Sequence, residues 1–95
     1  MKVQMTEFIQ YLKDNRKSQG TIEIYVRGVY QFIKYLKDFK NKDIYDIVYD
    51  DIEDYKDYLL NVRELNIKTV NLKLVAINQY CKYYQITVLI RQEKV

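Results

Sequence analysis

"KSQGTIEIYVRGVYQFIKYL", residues 17–36, passes from small polar residues into an apolar pattern with helical spacing. Ile22, Tyr25, Val26, Val29, Ile33 and Leu36 recur at intervals of three and four, which gathers them on one face of a helix. The stripe is broad enough to be a core face. Ser18, just ahead of it, is a residue type whose side chain accepts a hydrogen bond from the unpaired N–H groups of a helix start. A helix is therefore predicted from Ser18 to about Asp38. Gly28 inside it costs about 1 kcal/mol against alanine, which points first to a neighbouring helix at close approach.

Working outward, "TEFIQYLKDN" (6–15) places Phe8, Ile9 and Leu12 on one face of a short first helix, with Thr6 as its cap, and "NRKSQG" ends it. Downstream, "FKNKDIYDIVYD" (39–50) reads as a polar connector in which Ile44 and Ile47 tuck under the bundle. "DDIEDYKDYLLNV" (50–62) reads as a third helix capped by Asp50 or Asp51, with Ile52, Tyr55, Leu59 and Val62 inward. Thr69 opens a fourth, with Leu72, Val75, Ala76, Tyr80 and Tyr83 or Tyr84 inward as far as about Gln85. "ITVLIRQEKV" (86–95) turns to β-branched residues with no 3.6-residue repeat. The expected architecture is all-α: a four-helix bundle over residues 1–85 with a short first helix, then an extended linker, 86–95, whose apolar residues belong against something else.

Ninety-five residues make one small domain. With no proline, two glycines and 48% hydrophobic residues, helix breakers are few and the apolar content suffices for a core. No apolar run reaches the roughly 18 residues a membrane helix needs, and no apolar block marks a signal peptide, so a cytoplasmic protein with no membrane partner is expected. Cys81, the sole cysteine, has no partner for a disulfide or zinc site and reads as a structural thiol. There is no histidine, no paired thiol and no glycine-rich phosphate loop. No catalytic constellation, cofactor, metal site or small-molecule substrate is therefore expected. The 11 tyrosines fall mostly on helical stripes and read as packing residues.

Charge is uneven. Residues 1–40 carry 8 basic and 4 acidic groups, 41–58 carry 2 and 7, and 59–95 carry 6 and 2, or +4, −5 and +4 in turn. Two basic segments around an acidic one suggest a polarised surface. Thr21, Val29, Phe32 and Tyr35 repeat the offsets of Thr69, Ile77, Tyr80 and Tyr83, so both long helices open with a hydroxyl residue beside a lysine, Lys17 or Lys68. A helix start carries free N–H groups and partial positive charge, and a lysine beside it makes a phosphate site. Ser18, Thr21 and Thr69 are equally ordinary capping or first-turn residues.

Ser18, Thr21, Tyr25, Val29, Phe32 and Leu36, followed by Ile47, Asp51, Ile52, Thr69, Val70 and Asn71, make a pattern over residues 6–84. That pattern resembles the N-terminal core-binding domain of phage-integrase-type tyrosine recombinases. The chain departs from it at Val48 to Asp50, where that family often has a threonine, and at Lys73, where it often has an arginine. At Lys73 the departure leaves a charge but removes a bidentate fork.

The resemblance implies a SAM-like bundle that holds double-stranded core-site DNA through helices two and four. The implied contacts are Arg16, Lys17, Ser18, Thr21, Arg27, Lys68, Thr69, Asn71 and Lys73, most of them to phosphate. It also implies that the nucleophilic tyrosine and its cationic partners lie in a separate catalytic domain, so that this chain is not itself an enzyme, and that the full-length protein self-associates on DNA. A second reading from the modest net charge of +3 is a stand-alone helical module that binds an acidic protein partner.

Overall fold

The computed structural model describes residues 5–94, and its helices follow the predicted order: α1 (Thr6–Asp14), α2 (Gln19–Tyr35), α3 (Tyr49–Asp57) and α4 (Ile67–Tyr83). Residues 1–4 of the expected domain and residue 95 of the expected linker lie outside the described residues. α2 runs on through Leu36–Lys40 and α3 through Tyr58–Val62 as wider turns with i→i+5 hydrogen bonds. A short 3₁₀ turn, Ile44–Asp46, lies between them, and no strand occurs among the described residues. The fold is all-α. No described helix is long and apolar enough to cross a membrane.

Side chains set the starts of α2, α3 and α4, and only at α2 in the way expected. Ser18 caps α2 as predicted, its Oγ accepting the Thr21 N–H at 3.1 Å. α4 starts earlier than Thr69, because Asn66 Oδ1 accepts the Thr69 N–H at 2.8 Å; Thr69 therefore sits inside the first turn. α3 follows Val48, and Asp51 reaches back from the first turn to accept the Val48 N–H at 2.9 Å. No side chain caps α1, and Thr6 is its first helical residue. Beyond each helix one residue turns left-handed: Arg16 (φ 61°), Asn41 (49°), Glu64 (55°) and Gln85 (57°). At α1 and α4 this lets the next N–H reach back, Lys17 to Leu12 O at 3.0 Å and Ile86 to Cys81 O at 2.8 Å.

Phe8, Leu12, Ile22, Tyr25, Val29, Leu36, Ile52, Tyr55 and Leu59 are buried as expected, and Ile44 and Ile47 do tuck beneath the bundle, but Ile9, Val26 and Ile33 are only half-buried, and on α2 Phe32 and Tyr35 turn inward instead. Two further expectations about inward faces fail. Val62 is 67% exposed, because the widened last turn of α3 carries it off the line of Ile52, Tyr55 and Leu59. On α4 Ala76 and Tyr80 are buried as expected, but they share the buried face with Val70, Leu74, Ile77 and Cys81, whereas Leu72 is 43% exposed and Val75, Tyr83 and Tyr84 are only half-buried. α4 is apolar on more than one face, so periodicity alone does not choose the buried one.

α2 and α4 form the central pair. They approach closely at Gly28, where an added Cβ would lie 3.0 Å from Cβ of Ala76. The glycine is there for helix packing. Aromatic clusters hold both ends of the pair. Tyr35, Phe39, Tyr55 and Tyr58 join the C-terminal end of α2 to α3, with ring centroids 4.8–5.3 Å apart. Phe8, Tyr11, Tyr80, Tyr83 and Tyr84 join α1 to the C-terminal end of α4, and the Tyr45 and Tyr80 hydroxyls hydrogen-bond at 2.8 Å. Burial raises the pKa values of the Tyr55 and Tyr80 hydroxyls, so both stay protonated and suit packing.

The segment after α4 is extended, as its composition suggests, but it does not stand off the bundle as a linker with nothing to bury against. Ile86, Val88 and Ile90 turn inward onto the core while Thr87, Leu89 and Arg91 face out. That is the period-two alternation of an extended chain on an apolar surface.

Candidate nucleic-acid interface

The α1–α2 corner lies near the C-terminal end of α4, through Tyr11 and Tyr83, whose ring centroids are 4.7 Å apart. The α3–α4 corner lies near the C-terminal end of α2, through Tyr35 and Tyr58 at 5.1 Å. α2 and α4 therefore run in opposite senses. Their starts sit at opposite ends of the pair, on the order of 20 Å apart for helices of this length. Arg16, Lys17, Ser18 and Thr21 share one end, and Lys68 and Thr69 share the other. The structure does not bring the two sets together.

It gathers a different group between them. Arg27 on α2, Lys73 on α4 and Arg63 just after α3 lie close enough that the charges of Arg63 and Arg27 act on the Lys73 ammonium. Burial first, then these two cations, lower the Lys73 pKa. Lys73 Nζ donates to Gln31 Oε1 from α2. Among the described residues no carboxylate forms an ion pair with Arg27, Arg63 or Lys73. Sequence reasoning missed Arg63 and Gln31: Arg63 lies in a loop, and Gln31 gains its role only through the α4 side chain above it.

Around the acidic middle segment the cations are occupied. Lys42 pairs with Asp51 at 2.8 Å, Lys40 with Asp51 at 3.9 Å and also with Asp54, and Lys56 with Glu53 at 3.0 Å and Glu93 at 3.3 Å. Burial pushes the Asp51 carboxyl up, but the Lys42 and Val48 hydrogen bonds and the Lys42 and Lys40 charges outweigh it, and its pKa is lowered. Asp51, Glu53 and Asp54 of the acidic middle segment are thus ion-paired within the bundle.

Asn71 departs furthest from expectation. It is 9% exposed, its Nδ2 donates to Glu93 O and its Oδ1 accepts the Glu93 N–H, each at 2.8 Å. The tail occupies this side chain, which does not face out beside Lys73. Ser18 and Thr21 are joined to each other, Oγ to Oγ1 at 3.0 Å, within the α2 cap.

A groove of about 590 Å³ runs beside α2, lined by Ile9, Ile22, Val26 and Tyr30, with Lys13, Arg27 and Lys34 around it and Glu23 as its acid.

Residues 5–88 match the phage integrase N-terminal SAM-like domain. The TnP I resolvase of Bacillus thuringiensis is 29% identical over 77 residues, which cover 81% of this chain and 27% of that protein; the chain thus spans about a quarter of that relative's length. No solved structure gives a significant match.

Proposed function

The chain belongs to the phage integrase N-terminal SAM-like domain family, and from that premise we propose that it is the DNA-gripping domain of a site-specific recombinase. The observation that carries this reading is the Arg27, Arg63 and Lys73 group, cations drawn from three parts of the fold, none of which is ion-paired to a carboxylate among the described residues. Like charges held together destabilise one another, and a phosphate placed among them relieves that repulsion. In this reading Arg16 and Lys17 at one end of the α2–α4 pair and Lys68 at the other take further phosphates along the duplex. The Ser18 and Asn66 caps each satisfy one N–H of their helix, leaving the other first-turn N–H groups to meet phosphate oxygens.

Most contacts on this face set affinity and register; sequence is read by a minority, for which Arg27 and Gln31 are the best placed. Lys73 contributes a point charge and no fork. Cleavage and rejoining of DNA belong, in this reading, to other residues of a longer protein that assembles on its site in the cytoplasm. The name of the resolvase relative supports a recombination role.

The groove beside α2 favours a second reading, in which its apolar floor and basic surroundings take an acidic amphipathic segment of a protein partner. Titrating labelled duplex with the 95-residue chain at two salt concentrations tests the first. Binding with a dissociation constant of roughly 10⁻⁴ to 10⁻⁶ M that weakens steeply with salt is expected. Saturable binding indifferent to salt, or none up to millimolar protein, refutes phosphate gripping and leaves the protein-partner reading.

A further inference from the structure

Residue 93 is held by two elements at once, through its backbone by Asn71 of α4 and through its side chain by Lys56 of α3. We propose that Asn71 and Lys56 form a clasp for the extended segment 86–93, giving the chain that leaves the bundle two states, clasped and free. Neither state depends on DNA being the partner of the domain.

The Asn71 amide meets both the N–H and the C=O of Glu93, the pair of bonds that a neighbouring strand would supply. It thus recognises extended backbone rather than a particular side chain. Lys56 adds selection by charge. Its side chain is 6% exposed, so its ammonium has little water to lean on and needs carboxylates, Glu53 at 3.0 Å and Glu93 at 3.3 Å. Losing Glu93 leaves that buried cation with one partner. Between Ile86, tied to Cys81, and Glu93, tied to Asn71, the chain rests on the half-buried side chains of Val88 and Ile90. No helix has to break for it to lift, so the segment is built to open as a unit.

The two states differ in reach. Clasped, the chain leaves from a fixed point two positions from Lys73 on α4. Free, the eight residues 86–93 extend up to about 27 Å from the end of α4. The clasp thereby sets where any attached segment stands relative to the Arg27, Arg63 and Lys73 face, and it withholds Asn71 from solvent meanwhile.

Amide hydrogen exchange on the 95-residue chain, with a nitroxide attached at Lys94→Cys for paramagnetic broadening, tests the clasp. Cys81 does not compete for the label, because burial pushes its thiol pKa up to about 12. A protected Glu93 amide and broadened amides near Asn71 and Lys56 are expected. Asn71→Ala should remove at least tenfold of the Glu93 protection and the broadening, while Phe32 and Leu74 keep their protection. Lys56→Met, which keeps bulk but no charge, should lower the Glu93 protection in the same direction. Coil-like exchange at Glu93 in the unmodified sequence, or protection unchanged in both variants, overturns the proposal.

Discussion

Substituting Gly28 by alanine sets two known effects against each other at one atom. Helix propensity favours alanine by about 1 kcal/mol. The new methyl, however, would lie 3.0 Å from Cβ of Ala76, with the Lys73 Cα 4.0 Å away. Carbon atoms pack at about 3.5–4.0 Å, so α2 and α4 must part by about 0.5–1 Å. Ala76 has no rotamer with which to yield. Overpacking of this kind costs about 1–3 kcal/mol, leaving Gly28→Ala about 1 kcal/mol less stable, or roughly 5 °C lower in Tm for a domain this size. Ala76→Gly alone should also lose about 1 kcal/mol through propensity. In the double variant the new methyl fills the space vacated by Ala76, and the two propensity changes cancel. Stability should then return to near the starting value, a favourable coupling of about 2 kcal/mol and within the range for residues that touch. Urea and thermal unfolding of the four proteins measure it. A Gly28→Ala chain more stable by the full propensity gain, with effects that add in the double variant, refutes the close approach.

Removing charge at Arg27, Arg63 or Lys73 should weaken duplex binding and lower the salt slope by about one unit for each phosphate no longer neutralised, as read by titration over a range of salt. Lys42→Ala should leave that slope unchanged but destabilise the fold by about 1–3 kcal/mol in urea unfolding, because buried Asp51 loses the one ammonium that hydrogen-bonds it and keeps only the Val48 N–H and the more distant Lys40. The lowered Asp51 pKa fixes a sign for acid unfolding. Its carboxylate stabilises the fold above the ordinary carboxylate value of about 4, and that contribution disappears as pH falls through the folded-state value, so Asp51→Asn should flatten the acid limb of a stability–pH curve. Glu64→Gly should raise stability by about 0.5–1 kcal/mol, since the left-handed backbone at φ 55° strains a side-chain-bearing residue but not glycine; calorimetry reads the rise in Tm.

The candidate site was legible only in part. Lys17, Ser18, Lys68 and Thr69 stand out because helix starts announce themselves locally, by a cap residue ahead of a periodic stripe. That local signal has no information about distance, and it made two ends of one helix pair look like partners. Arg63 and Gln31 carry no pattern of their own; a cation in a loop and an amide on an exposed face become a site only when α4 brings Lys73 between them.

The sequence alone determined the number and order of helices, most of the core face of α1 and part of that of α2 (Ile22, Tyr25, Val29 and Leu36) and the extended character of the stretch that follows α4, because these follow from side-chain periodicity and β-branching within a single segment. It also carried the family resemblance, through Ser18, Thr21, Tyr25, Val29 and Phe32 on one such segment. Tertiary structure decided the rest. Which side of α4 is buried depended on what packs there, since that helix offers apolar residues all round and only the approach of Gly28 to Ala76, with the tail against Asn71, breaks the tie. Which charges remain unpaired depended on pairing across elements: Lys42 and Lys56 find carboxylates 9 and 37 positions away, whereas Arg27 and Lys73 find no ion pair among the described residues and feel one another's charge, and no one-dimensional count of charge can tell those cases apart.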